Sequence, residues 1–208
     1  MRHIDPPRAP YGWQKHVRER GRRWLNDPAA NNRGAERPES FWLNYRDQIG
    51  ERFNCICCYT VVWVANGEAD HFVPWARVRG TAQAELAYDW TNIRYADSWI
   101  NRSKGAAVFP DPFTVQDDWF ELHLPSLELR TTGQHPATEQ AAIDNLLERV
   151  RDDHRVMKLR RRYLKQYLDR DRSLKSLEQD APLLARALRT NPAYLRPDDQ
   201  ELLQAGTL

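Results

Sequence analysis

Two hydrophobic periods alternate along this 208-residue chain. Residues 1–12 are proline-rich and read as extended, and residues 13–25, WQKHVRERGRRWL, read as a short basic helix. Residues 26–38 carry Asn-Asp-Pro, Asn-Asn-Arg-Gly and Arg-Pro, the composition of a loop. Phe41, Tyr45, Ile49 and Phe53 fall four apart, which predicts a helix over 41–52 with Ser40 as its N-cap. The run Tyr59 to Ala65, YTVVWVA, is β-branched and aromatic, and Asn66-Gly67 comes directly after it. That pair predicts a hairpin returning through Glu68 to Val73. A loop over 74–86, a short aromatic segment over 87–93 and a short helix over 97–104 ended by Gly105 come next. Residues 119–124 and 127–130 alternate around Pro125-Ser126 as a second hairpin. From about Pro136 to Arg172 the period is helical, with Ile143, Leu146, Leu147, Val150, Val156, Leu159, Tyr163 and Tyr167 on the apolar side. Ala181 to Leu188 predicts a further short helix, and Pro192 and Pro197 break the C-terminal stretch beyond it. This order of helices and paired strands predicts an α+β domain. No repeat or low-complexity tract interrupts it.

Composition narrows the class. Apolar residues make up 41% of the chain, enough for a core, so a wholly disordered chain is excluded. No apolar run approaches the roughly 18–20 residues of a membrane span. The start, MRHIDPP, lacks the apolar stretch of a signal peptide. The three cysteines all lie in Cys55-Ile-Cys57-Cys58, which is no secreted disulfide framework. A cytoplasmic protein with reduced thiols, and no membrane partner, is the expectation.

The net charge of +2 conceals a pattern. Residues 1–37 carry +5, residues 38–150 carry −7, residues 151–175 carry +6 and residues 176–208 carry −2. Basic segments flanking an acidic middle attract phosphate backbones, although charge alone fits a solvated helix face equally well.

The chemistry concentrates in Asp70-His71, Asn92 and Asn101-Arg-Ser-Lys104-Gly105. Hydrolysis of a phosphodiester needs a base for water and a cation for the charge developing on phosphate. Asp70 offers carboxylate oxygen to a hard divalent cation, and Asn101 offers a carbonyl oxygen from the next helix. His71, adjacent on an extended strand, points the other way. Lys104 lies one turn beyond Asn101 on the same helix face, placed to meet a phosphate.

The phrases Asp70-His71-Phe72-x-Pro74, Ala87-Tyr88-Asp89-Trp90-Thr91-Asn92 and Asn101-x-x-Lys104-Gly105 together resemble the HNH endonucleases, the ββα-metal or His-Me finger family. The resemblance covers roughly residues 53–110. It implies a ββα-metal core with His71 as general base, Asp70 and Asn101 as ligands of one catalytic Mg²⁺ or Mn²⁺, and Asn92 as the residue tying the central loop. The opening Met1-Arg-His-Ile4 and the run VMKLRRRYL over 156–164 are similar to an anti-phage subgroup that includes Septu-type nucleases. That similarity implies a regulatory partner such as an ATPase. The expected organisation is an N-terminal extended and helical segment over 1–52, a nuclease core with an extra hairpin over 53–131, and a long helical extension over 132–208, packed as one unit. Double-stranded DNA is the expected substrate, with RNA open and no base-reading element in view.

Many relatives in this family carry two Cys-x-x-Cys pairs around a structural zinc. Here Cys55-x-x-Cys58 preserves the first pair, but Asp97 and Ile100 stand where the second would be. Four donors are needed, so no structural zinc is expected, with Trp90 and Trp99 filling the core instead. Arg155, Lys158, Arg161, Arg162 and Lys165 form a basic stripe beside Val156, Leu159, Tyr163 and Tyr167. They are expected to contact the nucleic-acid backbone. Two other readings compete with the nuclease. One is a nuclease-derived protein that binds nucleic acid or a partner without catalysis. The other is an interaction protein docking through the apolar face of 143–167.

Overall fold

A helix stripe opens the structure, a computed structural model describing residues 1–206. Residues 14–18 form a single π-type turn leading into α1, Glu19–Leu25. Trp13, Val17, Gly21 and Leu25, four apart, are all buried. Gly21 is required there, because a Cβ would stand 2.1 Å from the Tyr88 ring. The helix expected over 41–52 begins as a 3₁₀ turn, Phe41–Tyr45, and becomes α2 only at Arg46–Arg52. The Ser40 side chain makes no capping bond.

The strand expected over 59–65 does not form. Tyr59, Thr60, Val61 and Val62 are all buried, so neither alternating set is left for solvent. The chain curls into a knuckle instead. Cys57 N–H donates to Val62 O at 3.0 Å, Val61 N–H to Cys57 O at 2.9 Å and Val64 N–H to Cys55 O at 2.8 Å. Asn54, Cys55 and Val61 adopt positive φ to make it. Asn66 therefore turns the chain without joining a hairpin.

The next segment, β1, Glu68–His71, pairs with a later strand. Residues 72–92 leave it, form the short α3, Trp75–Val78, and 3₁₀ turns at Ala82–Tyr88 and Trp90–Asn92, and return in β2, Ile93–Ala96. The pair is antiparallel, with Glu68 opposite Ala96 and His71 opposite Ile93. Helix α4, Ser98–Lys104, comes directly after β2. The Asp97 carboxylate accepts from Trp99 N–H at 2.8 Å to cap it, and Gly105 ends it at φ 51°. The strands beside α4 are thus β1 and β2, not the two arms of the hairpin expected over 59–73.

The second hairpin forms as expected, β3 Phe120–His123 against β4 Glu128–Thr131. The single long helix expected from Pro136 to Arg172 is two helices. Helix α5, Gln140–Val150, stops before Asp152-Asp153, and Asp153 caps α6, His154–Leu168, by accepting from Arg155 N–H at 3.0 Å. Helices α7, Leu174–Asp180, α8, Pro182–Thr190, and α9, Pro197–Gln204, complete the chain. The last two residues of the 132–208 region lie outside the described residues.

One hydrophobic cluster draws residues from all three expected regions. Ile143, Leu146, Val150, Val156, Met157, Tyr163 and Tyr167 are buried in it. Most of the apolar face of 143–167 is therefore covered by the chain itself, while Leu147 and Leu159 stay half-buried. Among the described residues no helix is long and apolar enough to cross a membrane.

Candidate active site

His71 ends β1, half-buried, with its ring edge-on to Trp42 at 4.6 Å between centroids. Its Nε2 lies 2.9 Å from the Ala87 carbonyl. A carbonyl only accepts, so Nε2 carries the hydrogen and Nδ1 keeps its lone pair in the neutral ring. Burial pushes the imidazole below its ordinary pKa, opposed by the Ala87 carbonyl and by Asp70.

Asn92 anchors the loop that presents that carbonyl. Its Oδ1 accepts from Val73 N–H at 2.7 Å, and its Nδ2 donates to Val73 O and Leu86 O, both at 3.1 Å. The amide is buried and clamps both ends of the 72–92 excursion. Arg94, opposite Asp70 in the ladder, is buried between Phe72 and Phe113 and donates to Asp111 at 2.7 Å.

Period 2 places Glu68 and Asp70 on one face of β1 and His71 on the other, and α4 packs over the carboxylate face. Asp70 Oδ1 accepts from Lys104 Nζ at 2.8 Å, and Asp70 Oδ2 accepts a short hydrogen bond from the Tyr59 hydroxyl. Lys104 also donates to the carbonyls of His71 at 2.8 Å and Phe72 at 3.3 Å. Lys104 is buried, so the expectation that it meets a phosphate is corrected: its helix face turns inward, beside Ile100. Burial drives the ammonium below its ordinary pKa, with Asp70 opposing, and holds the Tyr59 phenol well above its own. Asn101 Nδ2 donates to Glu68 Oε2 at 3.1 Å, and the same carboxylate stands 3.9 Å from Arg46.

The residues expected to hold Mg²⁺ or Mn²⁺ do not fit one as they stand. Both oxygens of Asp70 are engaged, the carboxylate is buried, and a full positive charge already sits against it. Asn101 is directed to Glu68 and not to Asp70. Among the described residues no group of three or more His, Cys, Asp or Glu side chains converges. Cys57 and Cys58 are buried free thiols, with burial pushing both up, and Cys55 is half-buried.

The basic stripe is solvent-exposed at all five expected positions. Arg155, Lys158, Arg161, Arg162 and Lys165 line a shallow groove of about 740 Å³ with His154 and Leu159. Lys165 pairs with Asp169 one turn on. Arg155 stacks over Trp99 at 3.8 Å, and Trp99 is 41% exposed, so it is not the core filler expected of it. Trp90 packs on Trp13 and donates to the Pro7 carbonyl at 2.6 Å. Successive residues of α4 rotate by roughly 100°. With Ile100 and Lys104 inward, Asn101 faces β1, Trp99 faces α6, and the exposed Arg102 lies between them.

Sequence reasoning missed four neighbours. Glu68 was detectable as the same-face partner of Asp70 at i−2. Arg160 occupies the apolar stripe between Val156 and Tyr163, and it is buried, donating to Leu127 O at 2.9 Å. Trp42 and Tyr59 carried no local signal, because tertiary packing alone brings them in. Comparison with known proteins found no matching family, no matching curated protein and no matching solved structure.

Proposed function

We propose that the chain is an HNH-type endonuclease that hydrolyses the phosphodiester backbone of nucleic acid, DNA first, with His71 as general base. The observation that carries this reading is the His71 ring. Nε2–H is bound to a carbonyl on a loop clamped by Asn92, and among the described residues Nδ1 has no hydrogen-bond partner. Nδ1 takes a proton from water as the water oxygen attacks phosphorus, the bond from phosphorus to one sugar oxygen breaks, and that oxygen takes a proton from solvent. The Ala87 carbonyl stabilises the imidazolium through the Nε2–H bond. Arg155, Lys158, Arg161, Arg162 and Lys165 hold the backbone. Arg102 lies between that groove and the Asn101 flank of α4. The defence role and the regulatory partner belong to the same proposal and rest on the resemblance alone.

The closure of Asp70 by Lys104 favours a second reading, a protein that binds nucleic acid without cutting it. One experiment separates them. Supercoiled plasmid and structured RNA are incubated with wild type and His71→Ala, in Mg²⁺, in Mn²⁺ and in EDTA. Nicking by wild type and none by the variant supports the nuclease. Salt-sensitive binding with no cleavage under any condition supports the second reading.

A further inference from the structure

Lys104 Nζ sits among three oxygens supplied by three consecutive residues at the end of β1. These are Asp70 Oδ1 at 2.8 Å, His71 O at 2.8 Å and Phe72 O at 3.3 Å. One carboxylate and two backbone carbonyls converging on a point are a donor set for a hard cation. An ammonium has three hydrogens to give, so its match to the three acceptors is complete. The lysine side chain is 0% exposed and that of Asp70 4%, and the second carboxylate oxygen is taken by Tyr59. Asp70 is thus nearly closed to solvent, with each carboxylate oxygen already paired.

We infer that the Lys104 ammonium is the resident cation of this site, filling on Asp70 the place that a divalent ion would otherwise take. The inference rests on this packing and holds whether or not the chain cleaves nucleic acid. The wild-type chain, on this basis, binds no divalent ion at Asp70. Shortening Lys104 leaves an anionic oxygen cage that such an ion fills, because a buried carboxylate without a counter-charge is strongly unfavourable. Lys104→Ala leaves the three acceptors in place with room between them. Lys104→Arg keeps a charge there, and Asp70→Asn combined with Lys104→Met leaves neither charge.

Mn²⁺ is the probe, read by paramagnetic broadening of histidine ring signals and by the thermal midpoint. His71 is adjacent to the cage, and the other five histidines serve as controls. In wild type and in Lys104→Arg, Mn²⁺ leaves the His71 signal sharp and the midpoint unmoved. In Lys104→Ala, Mn²⁺ broadens His71 selectively and raises the midpoint. The double variant returns to the wild-type response. Selective broadening of His71 in wild type that Asp70→Asn abolishes overturns the inference, because a divalent ion then reaches Asp70 with Lys104 present; broadening that persists in Asp70→Asn places the ion on His71 Nδ1 and leaves Asp70 unfilled, as inferred. So does a folded Lys104→Ala that shows no broadening. If Lys104→Ala is unfolded in every buffer, the wild-type and Asp70→Asn spectra decide alone. None of these readouts depends on cleavage, so loss of the nuclease reading leaves the result interpretable.

Discussion

At residue scale His71 bears on the proposed cleavage and on stability. A general base contributes about 10²–10⁴-fold in rate, so on the proposed reading His71→Ala is expected to remove at least that much cleavage while leaving the circular dichroism spectrum unchanged. Burial holds its imidazolium below the ordinary value of about 6.5. Between the folded and unfolded values the native chain binds fewer protons than the unfolded chain. The stability linked to this group is therefore full above about pH 6.5 and is lost as pH falls through that interval. The wild-type thermal midpoint is expected to drop on acidification below pH 6.5 more steeply than that of His71→Ala. An identical pH dependence in the two proteins would remove the assignment of a depressed pKa. Arg160 makes a contrasting case. It is buried, Nη2 has no partner, and burial lowers its pKa to about 10. Replacing a buried, incompletely satisfied charge by an apolar side chain of similar length is often neutral or stabilising. Arg160→Met is expected to hold or raise the urea midpoint and to leave nucleic-acid affinity unchanged. A loss of affinity would place Arg160 in the binding face after all. The sequence drew attention to Asp70, His71 and Asn101 but not to the partners they take: Asp70 meets Lys104 and Tyr59, and Asn101 meets Glu68. It did not show that Lys104 turns inward, because i, i+3 spacing from Asn101 fixes an angular neighbour and not the direction of burial.

At the scale of elements, legibility tracked local signals. Helix α4 was readable because Asp97 and Gly105 bracket it, and the β3–β4 hairpin because its alternation brackets a Pro-Ser turn. The 59–65 segment was misread because a run apolar on both faces suits a buried knuckle as well as a strand, and only tertiary contacts decide. The break between α5 and α6 was hidden because the apolar period continues on both sides of it, although Asp153 is a cap residue in plain view. Helix α6 still places its charges as the period requires, with Arg155, Lys158, Arg161, Arg162 and Lys165 outward and Val156, Tyr163 and Tyr167 inward. Removing one cation–phosphate pairing on duplex DNA reduces the slope of log affinity against log salt by about 0.9. Arg161→Gln, Arg162→Gln and Lys165→Gln combined in a His71→Ala background are expected to flatten that slope by up to three such steps. Affinity should fall about equally for unrelated sequences. Parallel salt titrations for variant and parent would assign this face to solvent.

Across the whole molecule, the segments of opposite charge share one core, which the linear pattern could not reveal: periodicity says which side chains are apolar but not what they meet. The cross-links are long-range. Ile4 N–H donates to Pro112 O at 2.8 Å, Trp63 N–H to Asp180 O at 2.7 Å, and Arg186 Nη2 to Phe120 O at 2.6 Å. The knuckle that precedes β1 is thus held by α7, and the hairpin by α8. A core interrupted nowhere between these regions has no place for one part to melt first, which predicts two-state unfolding. Leu188, fully buried on α8, tests this. Leu188→Ala should cost about 2–5 kcal/mol. Its urea midpoint should fall by the same amount whether followed by tryptophan fluorescence, which reports seven of eight indoles in residues 1–99, or by far-ultraviolet circular dichroism, which reports all helices. If the 132–208 helices were an independent appendage, dichroism would shift in the variant while the fluorescence of Trp13, Trp63 and Trp90 stayed with wild type. Coincident curves mean that the helix carrying the basic face cannot loosen without disturbing the strand that carries His71.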